Sequence, residues 1–265
     1  MKNLHVALIQ SDLHWESKAE NLKMFSQKIA VITEPTDLII LPEMFSTGFS
    51  MQPEKLAEAM KGETVKWMKE EARKKNAVIT GSFICLENGK HFNRLVWMKP
   101  DGTHNIYDKR HLFSMGDENN HYTSGTGRIM EEINGWKICP LICYDLRFPV
   151  FARNSKTNPY DLLIYVANWP ERRAHPWKTL LLARAIENQA YVAGVNRVGT
   201  DASELYYSGD SAMINYKGEI ISKIPSDKEF TEIITLNYAE LQEFRKQFPA
   251  LNDADDFEIR MNTNL

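Results

Sequence analysis

Three residues in this 265-residue chain have side chains that can do chemistry together. They are Glu43 in "LIILPEMF", Lys109 in "NIYDKRHLF" and Cys143 in "PLICYDLRF". Each follows an apolar run that reads as a strand, and ligand sites in α/β sheets gather at the carboxyl ends of strands. Taken singly, each has a structural reading: an acid or a lysine makes an ion pair at a sheet end, and a cysteine is a small buried filler. Taken together they form a device for acyl transfer. A thiol attacks a carbonyl as thiolate and needs a base or a cation beside it. Glu43 can take the thiol proton and return it to departing ammonia. Lys109 can stabilise an oxyanion, helped by the backbone N–H of Tyr144. A strand that stops at Cys143 and a helix expected to follow it would hold the thiol rigid, expose it, and aim a positive helix end at it.

The elements that must position these residues follow from periodicity. Leu4–Gln10, Asp37–Glu43, Ala77–Cys85, Trp136–Cys143 and Asp161–Trp169 are apolar runs, as expected of strands covered on both faces. Residues 16–32, 53–75, 175–188 and 238–247 carry helical spacing, and a helix is expected near Phe148–Ser155. His91–Lys109 reads as two strands around the turn Pro100-Asp101-Gly102. "AYVAGVNRVG" reads as a strand, "SGDSAMINYKGEIISKI" as a second hairpin turned at Lys217-Gly218, and "EFTEIITLN" as the strand that closes the sheet. Strands alternate with helices and hairpins interrupt the alternation, which implies an α/β fold with mixed sheets. With no linker or repeat visible, residues 1–265 read as a single domain, with a polar tail from about 249 that packs loosely or on a partner chain.

These motifs carry a resemblance. Glu43, Lys109 and Cys143, each in its motif, resemble the Glu-Lys-Cys triad of the nitrilase (carbon-nitrogen hydrolase) superfamily. The likeness runs from "VALIQSDLHWESKAENL" through "LPEMFSTGF", "YDKRHLF" and "ICYDLRFP" to "ARAIENQAYVAGVNRVG". It implies a four-layer αββα sandwich with two mixed β-sheets, often paired into a homodimer. It also implies a second glutamate between lysine and cysteine that positions water and substrate, best matched by Glu118 in "SMGDENNHYTSG". Within the superfamily, "YDKRHLFSMGDENNHYTSG", "ANWPERRAHPW" and "ARAIENQAY" resemble the bacterial ω-amidase branch, whose substrates are keto acid ω-amides such as 2-oxoglutaramate. Such substrates carry a remote carboxylate, for which a cation is useful. Arg147 lies near where related carbamoylases place a carboxylate-binding arginine, although a structural pair with Asp145 is an equal reading. Arg172 and Arg173 are further candidates, and Trp169 and Phe49 can form apolar walls or simply fill core.

Other classes find less support. A net charge of −3 with no basic stripe argues against nucleic acid. No apolar run approaches the roughly 18 residues of a membrane span, and Met1–Gln10 is too short for a signal peptide. Three cysteines, Cys85, Cys139 and Cys143, form no disulfide framework and suit a reducing cytosol. The seven histidines lack paired ligand spacing, so no metal is expected, and no phosphate loop or other cofactor motif is present. The expected partners are therefore a small amide and water. The competing readings are another carbon-nitrogen hydrolase taking N-carbamoyl acids, nitriles or other small amides, a binding protein without turnover, and a redox-sensing cysteine.

Overall fold

Alternation along the apolar runs sorts their side chains to two opposite faces. In β1 (Leu4–Gln10), Leu4, Val6 and Leu8 join one buried cluster while Ala7 and Ile9 join another. In β2 (Leu38–Ile40), Leu38 and Ile40 take the first cluster and Ile39 the second. Such strands need cover on both sides, and they have it. The computed structural model describes residues 2–259.

The larger sheet continues with β3 (Val78–Glu87), β4 (Lys90–Met98) and β5 (His104–Asp108), and takes β13 (Phe230–Leu236) on its far edge, in the order β13-β1-β2-β3-β4-β5. The pairs β1–β2 and β2–β3 are parallel and the others antiparallel. The smaller sheet comprises β6 (Glu131–Ile133), β7 (Trp136–Ile142), β8 (Leu162–Val166), β9 (Tyr191–Val195) and β12 (Ala212–Ile214). Its core, β7–β8–β9, is parallel. A ribbon of β10 (Val198–Thr200) and β11 (Tyr206–Ser208) stands beside the two sheets.

Helices α1 (Lys18–Ala30) and α3 (Glu63–Lys75) bury Leu22, Phe25, Ile29, Val65, Met68 and Ala72 against the outer face of the larger sheet. Helix α6 (Ala174–Asn188) covers the smaller sheet so closely that a Cβ on Gly194 of β9 would meet Leu181 at 2.5 Å and Trp177 at 2.9 Å. The inner faces of both sheets merge in one core with α6 and with Leu241 of α7 (Tyr238–Gln247). The layers are therefore helix, sheet, sheet, helix, which is the expected four-layer sandwich.

The structure departs from the sequence reading in three places. The expected helix over 53–75 breaks into α2 (Pro53–Leu56) and α3, because Ala57 is extended and Glu58 forms a parallel bridge to Cys85. The Glu58 carboxylate then accepts the backbone N–H groups of Glu63 (2.6 Å) and Thr64 (3.1 Å), capping α3. The expected helix after Cys143 is instead a 3-10 turn, Cys143–Arg147, and then a four-residue α5 (Pro149–Ala152). One turn has no substantial macrodipole, so the expected positive helix end is replaced by individual N–H groups. The second hairpin keeps its turn, with Gly218 at φ +84°, but only Ile220 bridges back to Ile214. In the tail, Ala250–Asp253 forms a 3-10 turn that buries Leu251; its end, 260–265, lies outside the described residues. The remaining α-helix among the described residues, α4 (Glu118–His121), belongs to the site.

Candidate active site

Strands β2 and β5 run in the same direction, so Glu43 and Lys109 leave the larger sheet at one end. Each is locked by the backbone around it. Glu43 is followed by Met44 at φ +44°, a left-handed conformation held by Met44 N–H donating to Ser82 Oγ at 2.8 Å. Lys109 extends the β4–β5 ladder by one rung, its N–H donating to Asn93 O at 3.0 Å. Next to it, Arg94 grips Asp108 with two hydrogen bonds of 2.7 and 2.8 Å.

Cys143 enters from the end of β7 with φ +42°. A left-handed non-glycine residue of this kind persists only when its surroundings impose it. The imposing group is Asp145. Its carboxylate accepts Ile142 N–H (3.0 Å), Tyr107 O–H (2.6 Å), His111 N–H (3.1 Å) and the His111 ring nitrogen Nδ1 (2.7 Å). One buried carboxylate thus ties the thiol's turn to the segment that carries Lys109. His111 is a structural hydrogen-bonding residue. Arg147 does not pair with Asp145.

The side chains converge. Lys109 Nζ donates to Glu43 Oε1 at 2.8 Å and to Glu118 Oε1 and Oε2 at 3.0 and 2.8 Å. Glu118 stands on the single turn of α4 and also accepts the Phe113 N–H at 2.7 Å. Glu43 Oε2 accepts the Asn168 N–H at 2.8 Å, and Asn168 lies just past the end of β8. The Cys143 sulfur sits 4.0 Å from Asn168 O. All three charged groups are at most 1% exposed, and Cys143 is 8% exposed.

Burial dominates the electrostatics. It pushes the Cys143 thiol well above its ordinary range, Glu43 pushes it the same way, and Lys109 pulls it down. The resting sulfur is therefore a protonated thiol that needs a base. Burial alone would lower the Lys109 pKa, but Glu118 and then Glu43 reverse this and hold it above the usual lysine range. The Glu118 carboxyl is raised by burial and by Glu43, against the pull of Lys109. Cys139 and Cys85, by contrast, are buried in core and pushed up to about 12 and about 11, mainly by desolvation. They are inert thiols.

A cavity of about 220 Å³ opens onto Cys143 and Lys109. Every candidate named from sequence for the substrate lines it: Phe49, Tyr144, Arg147, Trp169, Arg172 and Arg173. Phe49 lies under Lys109 Nζ at 5.1 Å, Arg147 over Trp169 at 5.0 Å, and Arg173 over Phe113 at 5.0 Å. Among the described residues, none of the three arginines forms an ion pair with a carboxylate. Burial, and then the neighbouring Arg172, lowers the Arg173 pKa. The three guanidinium groups make this wall cationic; Asp201, which also lines the cavity, accepts the Tyr207 O–H at 2.9 Å.

Sequence reasoning missed Asn93 and Asn168. Asn93 Nδ2 donates to Glu43 Oε1 (2.8 Å) and Glu118 Oε1 (3.0 Å), and Asn168 Nδ2 donates to Glu43 O (2.5 Å). A signal was present: each is a polar residue in or beside a buried strand. Among the described residues no group of three or more His, Cys, Asp or Glu side chains can hold a metal, and no helix is long and apolar enough to cross a membrane.

The omega-amidase YafV of Escherichia coli K12 is 46% identical over 98% of this chain and 100% of its own. The 2-oxoglutaramate amidase of Bacillus subtilis 168 is 29% identical over 94% of this chain and 96% of its own. Among solved structures, XC1258 from Xanthomonas campestris, a CN-hydrolase superfamily protein with an arsenic adduct in its active site, superposes with a TM-score of 0.96 at 44% identity, covering 98% of this chain and 100% of that one. The carbon-nitrogen hydrolase family model matches residues 5–246, and the chain belongs to that family.

Proposed function

We propose that this chain is an ω-amidase, a thiol amidohydrolase that removes ammonia from the terminal amide of small carboxylate-bearing substrates such as 2-oxoglutaramate. The observation that carries the substrate class is that three arginines without an ion-pair partner among the described residues, Arg147, Arg172 and Arg173, line the same small cavity as the thiol. Near-full-length similarity to an omega-amidase and to a 2-oxoglutaramate amidase supports it.

In this reading Glu43, Lys109 and Cys143 are the catalytic triad. Glu43 takes the Cys143 proton as sulfur attacks the amide carbon, so the S–C bond forms as the carbonyl π bond opens. Lys109 and the Tyr144 N–H stabilise the oxyanion. Glu43 returns the proton to nitrogen, the C–N bond breaks, and ammonia leaves a thioester. Water held by Glu118 then adds to the thioester, giving its proton to Glu43, and collapse releases the acid and restores the thiol. The raised pKa of Cys143 favours base-assisted attack over a preformed thiolate. Phe49 and Trp169 serve as apolar walls, and no cofactor is required.

The same reading takes residues 1–265 as one hydrolase domain with its tail from about 249, in a reducing cytosol where three unpaired thiols persist. It also takes the chain as a homodimer, supported by the exposed Val150 and Phe257, which line one groove. A monomeric mass by light scattering would sink that part. The decisive experiment measures ammonia release from 2-oxoglutaramate, a simple aliphatic amide, an N-carbamoyl amino acid and a nitrile. The expected preference is for the keto acid amide. A higher kcat/KM on the N-carbamoyl acid or nitrile would move the enzyme to another branch of the family.

A further inference from the structure

The catalytic charges do not balance. Two carboxylates share one ammonium in a pocket that is almost completely buried, and the excess negative charge has to be met by neutral donors. Lys109 Nζ and Asn93 Nδ2 lie on the same two oxygens, Glu43 Oε1 and Glu118 Oε1. Two donors and two acceptors therefore form a closed four-membered arrangement, in which Asn93 spans the two carboxylates as Lys109 does. Asn93 is itself fully buried, and its Oδ1 has no hydrogen-bond partner. An orphaned buried acceptor is unfavourable, so the amide orientation is held by what Nδ2 does. The backbone fixes the placement: Asn93 O receives the Lys109 N–H, and Asn93 shares its face of β4 with the core residues Leu95 and Trp97.

We propose that Asn93 is a positioning residue that bridges Glu43 and Glu118, holding both as carboxylates against the single Lys109 so that one can act as base while the other orients water. This rests on the triad reading of the proposed function. Its chemistry is electrostatic. Without the Asn93 donor the pair has one ammonium for two negative charges, and one carboxyl retains a proton to higher pH. A base that is already protonated cannot take the thiol proton. The other groups facing the pair are Cys143 and the phenols of Tyr122 and Tyr207, which hydrogen-bond elsewhere, to Ser50 O (2.6 Å) and Asp201 Oδ2 (2.9 Å). They remain protonated at neutral pH and offer no substitute charge.

The test follows the alkylation of Cys143 by iodoacetamide, and the hydrolysis of 2-oxoglutaramate, across pH 4.5 to 8.5 in wild type, Asn93→Leu and Asn93→Asp, with Tm read for each. Leu removes the donor while keeping the branched heavy-atom skeleton, with bulkier methyl groups, and Asp adds a third carboxylate. The acid limb of both profiles should move up by about one pH unit in Asn93→Leu and further in Asn93→Asp. A limb that stays at the wild-type pH, with only the plateau lowered, overturns the proposal and makes Asn93 a packing residue. If Asn93→Leu does not fold, the isosteric Asn93→Asp decides, and its failure to fold overturns the proposal as well. Alkylation needs no substrate. A wild type that labels with the expected limb but leaves 2-oxoglutaramate intact would therefore refute the ω-amidase reading and leave this one standing.

Discussion

Cys143 is held in a conformation that cysteine does not favour, at φ +42°, and burial, then the Glu43 carboxylate, raises its pKa. Both features make sense for a nucleophile activated only during attack, and neither helps packing. Replacing it with alanine keeps Cβ and loses one sulfur atom from a site that already borders a cavity. Cys143→Ala should therefore abolish ammonia release while shifting Tm by no more than a few degrees; turnover near the wild-type rate would rule out Cys143 as nucleophile. The arginines make a finer claim. Arg173 is half-buried and Arg147 exposed, and a partly desolvated guanidinium gains more from an anion than a solvated one. Lysine cannot reproduce a bidentate fork. Arg147→Lys and Arg173→Lys should each lower kcat/KM on the acidic substrate by about ten- to a hundred-fold, the latter more, with a neutral aliphatic amide spared. Equal loss on both substrates would make these residues structural.

The site depends on how few strand ends meet, and on how close the backbones come. Gly125, in a segment that could be mistaken for a phosphate loop, donates its N–H to Lys109 O at 2.9 Å. A Cβ there would fall 2.0 Å from Asp108 O, a backbone atom that cannot rotate away. Gly125→Ala should thus push Lys109 off its position and lower kcat by about a hundredfold, as displacements near 1 Å do. Activity within threefold of wild type would show that the ladder absorbs the shift. This glycine's role was not legible in sequence, because it depends on a contact with a strand end, Asp108, seventeen residues earlier in the chain. The legible features have local causes. The apolar runs of β1, β7 and β8 and the residues that end them could be read one strand at a time. The break at Ala57 and the lost second arm of the Lys217-Gly218 hairpin could not, because tertiary partners decide both: Glu58 bridges to Cys85 and β12 pairs with β9. Asn93 was legible only as a polar residue in a buried strand; that it faces Glu43 and Glu118 depends on tertiary contacts.

At the scale of the whole molecule, the two hydrophobic cores bury titratable groups that must stay neutral. Desolvation pushes Cys85 up to about 11, Cys139 and Tyr191 up to about 12, and Cys143, Tyr107, Tyr160 and Tyr165 well above their ordinary ranges. Each has a folded-state pKa above its unfolded value, so folding favours the protonated form. That contribution is fully present below the unfolded pKa, about 8.5 for cysteine and about 10 for tyrosine, and it is lost as pH rises toward the folded values. Tm should hold steady from pH 7 to 8 and then fall by on the order of 10 °C by pH 10.5, measured by calorimetry with reductant present. Cys139 supplies the control, because it is fully buried in β7 and does not line the cavity at Cys143. Cys139→Ala lowers stability at pH 7 by leaving a small cavity, yet it removes one group that resists ionisation, so its Tm should decline less steeply between pH 8.5 and 10.5 than that of wild type. Parallel declines in the two proteins would mean that the buried thiols do not set the alkaline limit of this fold.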